Sequence, residues 1–192
     1  MSLFSQNFLL RLSTTYLKLF NKNEVISFPE AVRSAKIVLL LLPTNEEDFL
    51  VACRTLGRFQ KTLDPKEVFA FVHESMIEHI PEGLKNRLIV YSKNSITALC
   101  RPNRELMNKL KKIGIDMIIN LNPTFNLFFA KLSLLSKAKL RICFHNNKYE
   151  EYFFNCEIND TKHSFLDQRY STILKYLSFM AETPQSREQI VS

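Results

Sequence analysis

Polar side chains that could bind a ligand or transfer a proton directly follow several apolar segments of the sequence. Each of these segments has the composition of a buried strand, and in a parallel sheet ligands bind beyond the carboxyl ends of the strands. The residues after the strands are therefore the candidates for a binding site. We predict ligand-binding roles for Thr44, Asn45, His73, Ser92, Asn122 and Thr124.

The first of these loops is acidic, because it contains Glu46, Glu47 and Asp48. The amino terminus of a helix attracts anions, but acidic side chains at that position repel a phosphate group. Thr44 and Glu47 have the spacing of a capping box, which predicts that Thr44 caps the helix that follows. The acidic loop therefore argues against a dinucleotide site at this position.

Two histidines, His73 and His79, stand six residues apart in a segment that also contains two glutamates. On a helix they would point about 120° away from each other around the axis, whereas a zinc ion held on one helix face needs a spacing of four. We therefore expect no metal ion and no cofactor. His145 follows a later strand, where contact with an anion and a plain polar loop both remain open. No G-x-S-x-G motif supports a nucleophilic serine.

Composition predicts a single globular domain. The chain has 192 residues, of which 46% are hydrophobic and 23% charged, and its three glycines lie too far apart for a glycine-rich phosphate loop. A net charge of +7 raises the local concentration of anionic partners, but no nucleic-acid-binding motif accompanies it, which argues against nucleic acid. Four cysteines without a C-x-x-C spacing predict reduced thiols and a cytoplasmic location.

Strand-like and helix-like segments alternate along the chain. The predicted strands are residues 36–42, 68–72, 87–91, 116–121, 139–143 and 152–158. The predicted helices after the first strand are residues 45–63, 104–113, 125–136 and 163–180. The unbroken apolar run 37–42 must be buried on both faces, as central strands of parallel sheets are. The pattern predicts an α/β fold, a three-layer Rossmann-like and mainly parallel sheet with helices on both faces.

The chain divides into three parts. Apolar residues recur at helical spacing in residues 1–24, which predicts an amphipathic N-terminal helix. Residues 25–181 form the predicted Rossmann-like domain, and residues 182–192 a polar tail. The longest apolar run is far shorter than the roughly 18 residues that cross a bilayer. The N-terminal helix is expected either to dock on the domain or to make weak contact with an anionic inner-membrane surface.

Residues 116–144 combine a strand that begins with aspartate, a polar loop, an Ala/Leu helix and a basic strand that ends Arg-Ile-Cys-Phe. This segment resembles the N-terminal domain of glycosyltransferase family 9, the heptosyltransferase group. The first strand and residues 48–56 are similar to the opening strand and helix of that family, whose loop carries a catalytic-base aspartate. Asp48 is the matching position. Glu47 and Cys143 stand where the family has glycine.

The resemblance implies an acceptor-side domain, whose family partner half holds most of the nucleotide-sugar site. This chain has no residues for that half, and its whole length also resembles a family of uncharacterised single-domain bacterial proteins. Our first hypothesis is therefore a non-catalytic module that binds an anionic ligand or a protein partner, including a second copy of itself. The alternative is the acceptor half of a split glycosyltransferase, in which Asp48 removes a proton from the acceptor hydroxyl.

Overall fold

Six strands form a single sheet in the computed structural model of the chain. The structure describes residues 10, 13–14, 26–64, 66–146, 148–160 and 165–182. Strands β1 to β6 are Ile37–Leu41, Glu67–His73, Leu88–Tyr91, Met117–Asn120, Leu140–Phe144 and Cys156–Ile158. Their order across the sheet is β3-β2-β1-β4-β5-β6, and every neighbouring pair is parallel.

Helices cover both faces of this sheet. Helices α1 to α5 are Phe28–Ser34, Glu46–Leu63, Arg104–Ile113, Leu127–Leu135 and Leu166–Ala181. Helices α1, α2 and α5 contribute Val32, Phe49 and Tyr170 to the core on one face. Helices α3 and α4 contribute Leu106 and Phe129 to the core on the other face. The predicted three-layer α/β fold is confirmed.

The central strand β1 belongs to both cores. Val38 and Leu40 pack into the core beneath α2 and α5, whereas Leu39 and Leu41 pack into the core beneath α3 and α4. All four side chains are fully buried. Because side chains alternate along a strand, an unbroken apolar run supplies both faces at once. The predicted doubly buried strand is confirmed.

The sheet is joined at its centre by the pairing of β1 with β4. Leu41 lies opposite Asn120 in this pair. At the other end of the two strands, Asp116 Oδ2 accepts hydrogen bonds from the backbone N–H groups of Lys36 and Ile37, over 2.9 and 3.0 Å. One carboxylate thus connects the starts of strands that are far apart in the sequence.

Two predicted helix starts are wrong. Asn45, not Thr44, is the N-cap of α2, and its side chain accepts from the N–H of Asp48. Asn is at least as good an N-cap as Thr, so the helix begins one residue later. Likewise Asn126 caps α4, so this helix begins at Leu127 and not at residue 125.

The sixth strand is shorter than predicted. It covers only Cys156–Ile158, and Glu150–Tyr152 form a 3₁₀ turn instead. Phe153 and Phe154 are buried in a small third core with Cys143. The aromatic run is therefore apolar because it packs against α4 and β5, and its apolar character does not extend the strand.

Some predictions concern residues that the structure does not describe. The N-terminal helix is one, apart from Leu10, Ser13 and Thr14, where the backbone is helical and Thr14 Oγ1 donates to Leu10 O over 3.0 Å. The polar tail beyond Glu182 is another. Within the described ranges, no helix has the length and apolar character that crossing a bilayer requires. All four cysteines are free thiols.

Tyr170 offers a test of the core on the α5 side of the sheet. Its ring is fully buried and its hydroxyl donates to Leu121 O over 2.8 Å. Tyr170→Phe removes that donor from a buried carbonyl and should lower the free energy of unfolding by about 1–2 kcal/mol in urea denaturation. Tyr176→Phe, on the same helix but 52% exposed, is the matched control. Equal stability of both variants would contradict the assignment of this hydrogen bond.

Candidate functional site

The carboxyl ends of all six strands lie at one edge of the sheet, because every neighbouring pair is parallel. This edge carries the residues that the sequence singled out. Those that follow β1 and β4 flank the point at which the strand order reverses, where Rossmann-like folds hold their ligands. The residues at the edge are Thr44 and Asn45 after β1, His73 at the end of β2, Ser92 after β3, and Asn122 and Thr124 after β4.

Four of these six side chains are hydrogen-bonded within or between the loops themselves. They are Asn45, His73, Ser92 and Asn122. The first three accept from a backbone N–H two or three residues later and so begin the helix or turn that follows. Thr44 and Thr124 are exposed to solvent. The structure thus brings the six residues to one edge and gives most of them a local role there.

The point of strand reversal is occupied by the protein's own side chains. Asn122 is buried, and its Nδ2 donates to Asn120 Oδ1 over 2.8 Å and to Leu42 O over 3.3 Å. The hydroxyl of Tyr170 reaches in from α5 to Leu121 O. These contacts satisfy the backbone carbonyls at the ends of β1 and β4. They leave this part of the edge closed by packing.

Asp48 lies in the first turn of α2 at the same edge and is half-buried. Burial raises the pKa of its carboxyl, and the charge of Glu47 raises that pKa further. A carboxylate with a raised pKa is a stronger base, which suits proton abstraction. The position that resembles the catalytic base therefore has a fitting electrostatic environment.

A second group of titratable side chains meets where β5 and β6 end. His145 Nδ1 lies 2.5 Å from Glu157 Oε2. One donor atom each of His145, Glu150 and Glu157 lies within 4.8 Å of the other two. The hydrogen bond with Glu157 is the main cause of a raised pKa at His145. We call these three residues the His145 cluster.

Strand pairing explains how the His145 cluster forms. Cys143 lies opposite Glu157 in the β5–β6 pair, and the His145 N–H donates to Ile158 O over 3.0 Å. Because side chains alternate along a strand, those of residues 143, 145 and 157 share one face of the sheet. The turn Glu150–Tyr152, in the connection between the two strands, supplies Glu150.

Asn146 joins the His145 cluster to a neighbouring cation. Its backbone N–H donates to Glu150 Oε2 over 2.6 Å, and its Nδ2 donates to Glu150 Oε1 over 3.0 Å. Its Oδ1 accepts from Arg169 Nη2 over 3.1 Å. One amide side chain therefore orients both a buried carboxylate and a guanidinium.

Arg169 lies in the first turn of α5, with its guanidinium carbon 4.1 Å from the centre of the Phe144 ring. Its Nε is buried and has no hydrogen-bond partner among the residues that the structure describes. Such a donor is rare in folded proteins, because leaving it unpaired costs about 1–3 kcal/mol. Arg169 is thus a cation at this edge with an unpaired hydrogen-bond donor among the described residues.

Of this region, the sequence indicates only His145 as a possible site residue, and it leaves an anion contact and a plain polar loop both open. Glu150, Glu157 and Arg169 do not directly follow a predicted strand, and their spacing matches no ligand motif. They meet because β6 pairs with β5 and because α5 begins beside both strands. The order of the strands across the sheet would have revealed these contacts, but a single sequence does not give that order.

Comparison with known proteins finds no matching family model, no matching curated protein and no matching solved structure. The strand order and the layers of the chain itself show its Rossmann-like α/β fold. The resemblance of residues 116–144 and Asp48 to glycosyltransferase family 9 stays a prediction.

The raised pKa of Asp48 can be measured directly. The carboxyl ¹³C shift of Asp48 should titrate above the usual value of about 3.9, and Glu47→Gln should lower the midpoint because it removes the neighbouring charge. Because folding raises this pKa, proton binding by Asp48 stabilises the folded state below about pH 3.9. This stabilisation is lost as the pH rises through the folded pKa. Asp48→Asn should remove that loss of stability.

Glu74→Gln, at the end of β2, is the control for the Asp48 titration. It should leave the midpoint unchanged. A midpoint at or below the usual aspartate value in the wild-type chain would contradict the environment described for Asp48.

Proposed function

We propose that this chain is a non-catalytic Rossmann-like module that binds an anionic ligand, with Arg169 as the residue that contacts the anion. The observation that carries the proposal is the guanidinium held against Phe144 with a buried and unpartnered Nε among the described residues. A guanidinium has five N–H donors, in a geometry that matches two oxygens of a carboxylate or phosphate. Because the Nε is buried, an anion pairs with it only after a small shift of the side chain exposes it.

The position of Arg169 in the fold supports the same ligand class. It lies in the first turn of the 16-residue helix α5, whose N-cap residue Phe165 makes no side-chain capping hydrogen bond. The N–H groups and dipole at such a helix start favour a negative charge, and the charge of Asp167 in the first turn is partly offset by Arg58, whose Nη1 lies 3.9 Å from Asp167 Oδ1. The site also lies at the carboxyl edge of the sheet, where ligands of open α/β sheets bind.

Packing holds Arg169 in place before a ligand arrives. Its guanidinium stacks on the buried ring of Phe144 and bonds to Asn146. A side chain fixed in this way loses little conformational freedom when it binds an anion. The net charge of +7 adds a long-range attraction for the same class of ligand.

Titration with inorganic phosphate tests the proposal. Phosphate should shift the backbone amide NMR signals of residues 144–146 and 166–169 in the wild-type chain. Arg169→Gln should weaken binding about tenfold or more, since a charge-assisted hydrogen bond is worth about 1.5–3 kcal/mol. Arg104→Gln, which removes an exposed guanidinium at the start of α3, is the charge-matched control. Equal weakening by both variants would mean that only net charge attracts the anion.

The alternative is the acceptor half of a glycosyltransferase. It is favoured by one observation, the raised pKa of the Asp48 carboxyl at the carboxyl edge of the sheet. In this version Asp48 takes the proton of the acceptor hydroxyl while a partner domain holds the nucleotide sugar. A sugar-transfer assay with and without candidate partner domains decides between the two. Turnover that disappears in Asp48→Asn but persists in Arg169→Gln would overturn the non-catalytic proposal.

A further inference from the structure

The His145 cluster combines the donor atoms of a metal site at a solvent-accessible edge of the fold. It offers one imidazole nitrogen and two carboxylates, with donor atoms within 4.8 Å of one another. We infer that His145, Glu150 and Glu157 form a binding site for a divalent transition-metal ion. The inference does not depend on the anion site at Arg169, because it concerns different donor atoms.

The distances suit a metal ion after a small adjustment. Zinc lies about 2.0–2.2 Å from nitrogen and oxygen ligands, so two ligands of one ion are about 3.0–3.5 Å apart. His145 Nδ1 and Glu157 Oε2 are 2.5 Å apart and are joined by the proton of a hydrogen bond. An ion that replaces this proton must separate the two atoms by about 0.5–1 Å. The imidazole has room to move, because the His145 side chain is 48% exposed.

Glu150 provides the rigid part of the site. It is only 1% exposed, yet it contributes a donor atom to the cluster. The backbone and side-chain N–H groups of Asn146 each donate to one of its oxygens and fix the carboxylate plane. Outer hydrogen bonds of this kind orient the ligands of known metal sites.

The donor set restricts which ion would bind. Imidazole together with carboxylate suits zinc, iron and manganese, whereas soft ions prefer thiolate and thioether donors. Three protein ligands leave coordination positions for water or a substrate, as in catalytic rather than structural zinc sites. The exposed side of the site is formed by His145, and Glu157 is intermediate, with 20% of its side chain exposed.

The spacing of His73 and His79 predicts no shared ion, and the structure keeps these two residues at opposite ends of a 3₁₀ turn. The His145 cluster is built from other residues. It combines one residue after β5, one from the following turn and one from β6, so no helical spacing could reveal it.

Metal binding by the whole chain tests the inference. After treatment with a chelator and its removal, titration calorimetry with Zn²⁺ alone, without phosphate, should give one ion per chain. His145→Asn and Glu157→Gln should each weaken binding by more than about tenfold, because losing even an outer-shell partner costs 10–100-fold. His79→Asn and Glu82→Gln, a histidine and a glutamate outside the cluster, should bind as the wild type does.

A second readout locates the ion without any substitution. Paramagnetic Mn²⁺ should broaden the amide signals of residues 144–146, 150 and 156–158 before those of the β2 and β3 loops. Absence of Zn²⁺ binding, equal binding by the wild type and the two cluster variants, or broadening centred elsewhere would each overturn the inference. The anion proposal is unaffected by any of these outcomes, since its own test contains no metal.

Discussion

The side chains of residues 38–42 alternate between two cores, and each is at most 1% exposed. A strand of this kind must have a helical layer on both faces, because apolar surface left on either face would remain in contact with water. Parallel pairing on both sides of β1 then requires crossover connections, which the helices provide. The same parallel arrangement brings the carboxyl ends of all six strands to one edge. For this reason the His145 cluster lies at the same edge as the residues that follow β1 and β4.

The sequence predicted the layers and five of the six strands well, because hydrophobic period and strand length carry that information. Helix starts were less predictable where two capping residues compete. Thr44 and Asn45 are adjacent, and only the folded chain shows that Asn45 accepts the first-turn N–H. The aromatic character of residues 152–154 predicts part of a strand, whereas in the structure Phe153 and Phe154 fill the third core.

The candidate site was predictable only in part. The residues that follow the strands lie at the carboxyl edge, as predicted, but the side chains of Asn122 and Asn45 form hydrogen bonds with the backbone. The His145 cluster and Arg169 depend on which strand lies beside which, and on a stacking contact with Phe144. Such contacts join residues through space, so composition and spacing do not report them. Asn146, an ordinary loop residue in the sequence, is the link between Glu150 and Arg169.

The junction of β1 and β4 has a consequence for how the chain reaches its fold. Leu41 and Asn120 pair although β2 and β3 lie between β1 and β4 in the sequence. The ribosome synthesises the chain from its amino terminus, so β1 and β2 are made before β4. One edge of the apolar strand β1 therefore has no hydrogen-bonding partner until β4 has been synthesised. An unpaired strand edge of this kind can pair with other molecules. Between the synthesis of β2 and that of β4, this edge of β1 is therefore open to pairing with another molecule.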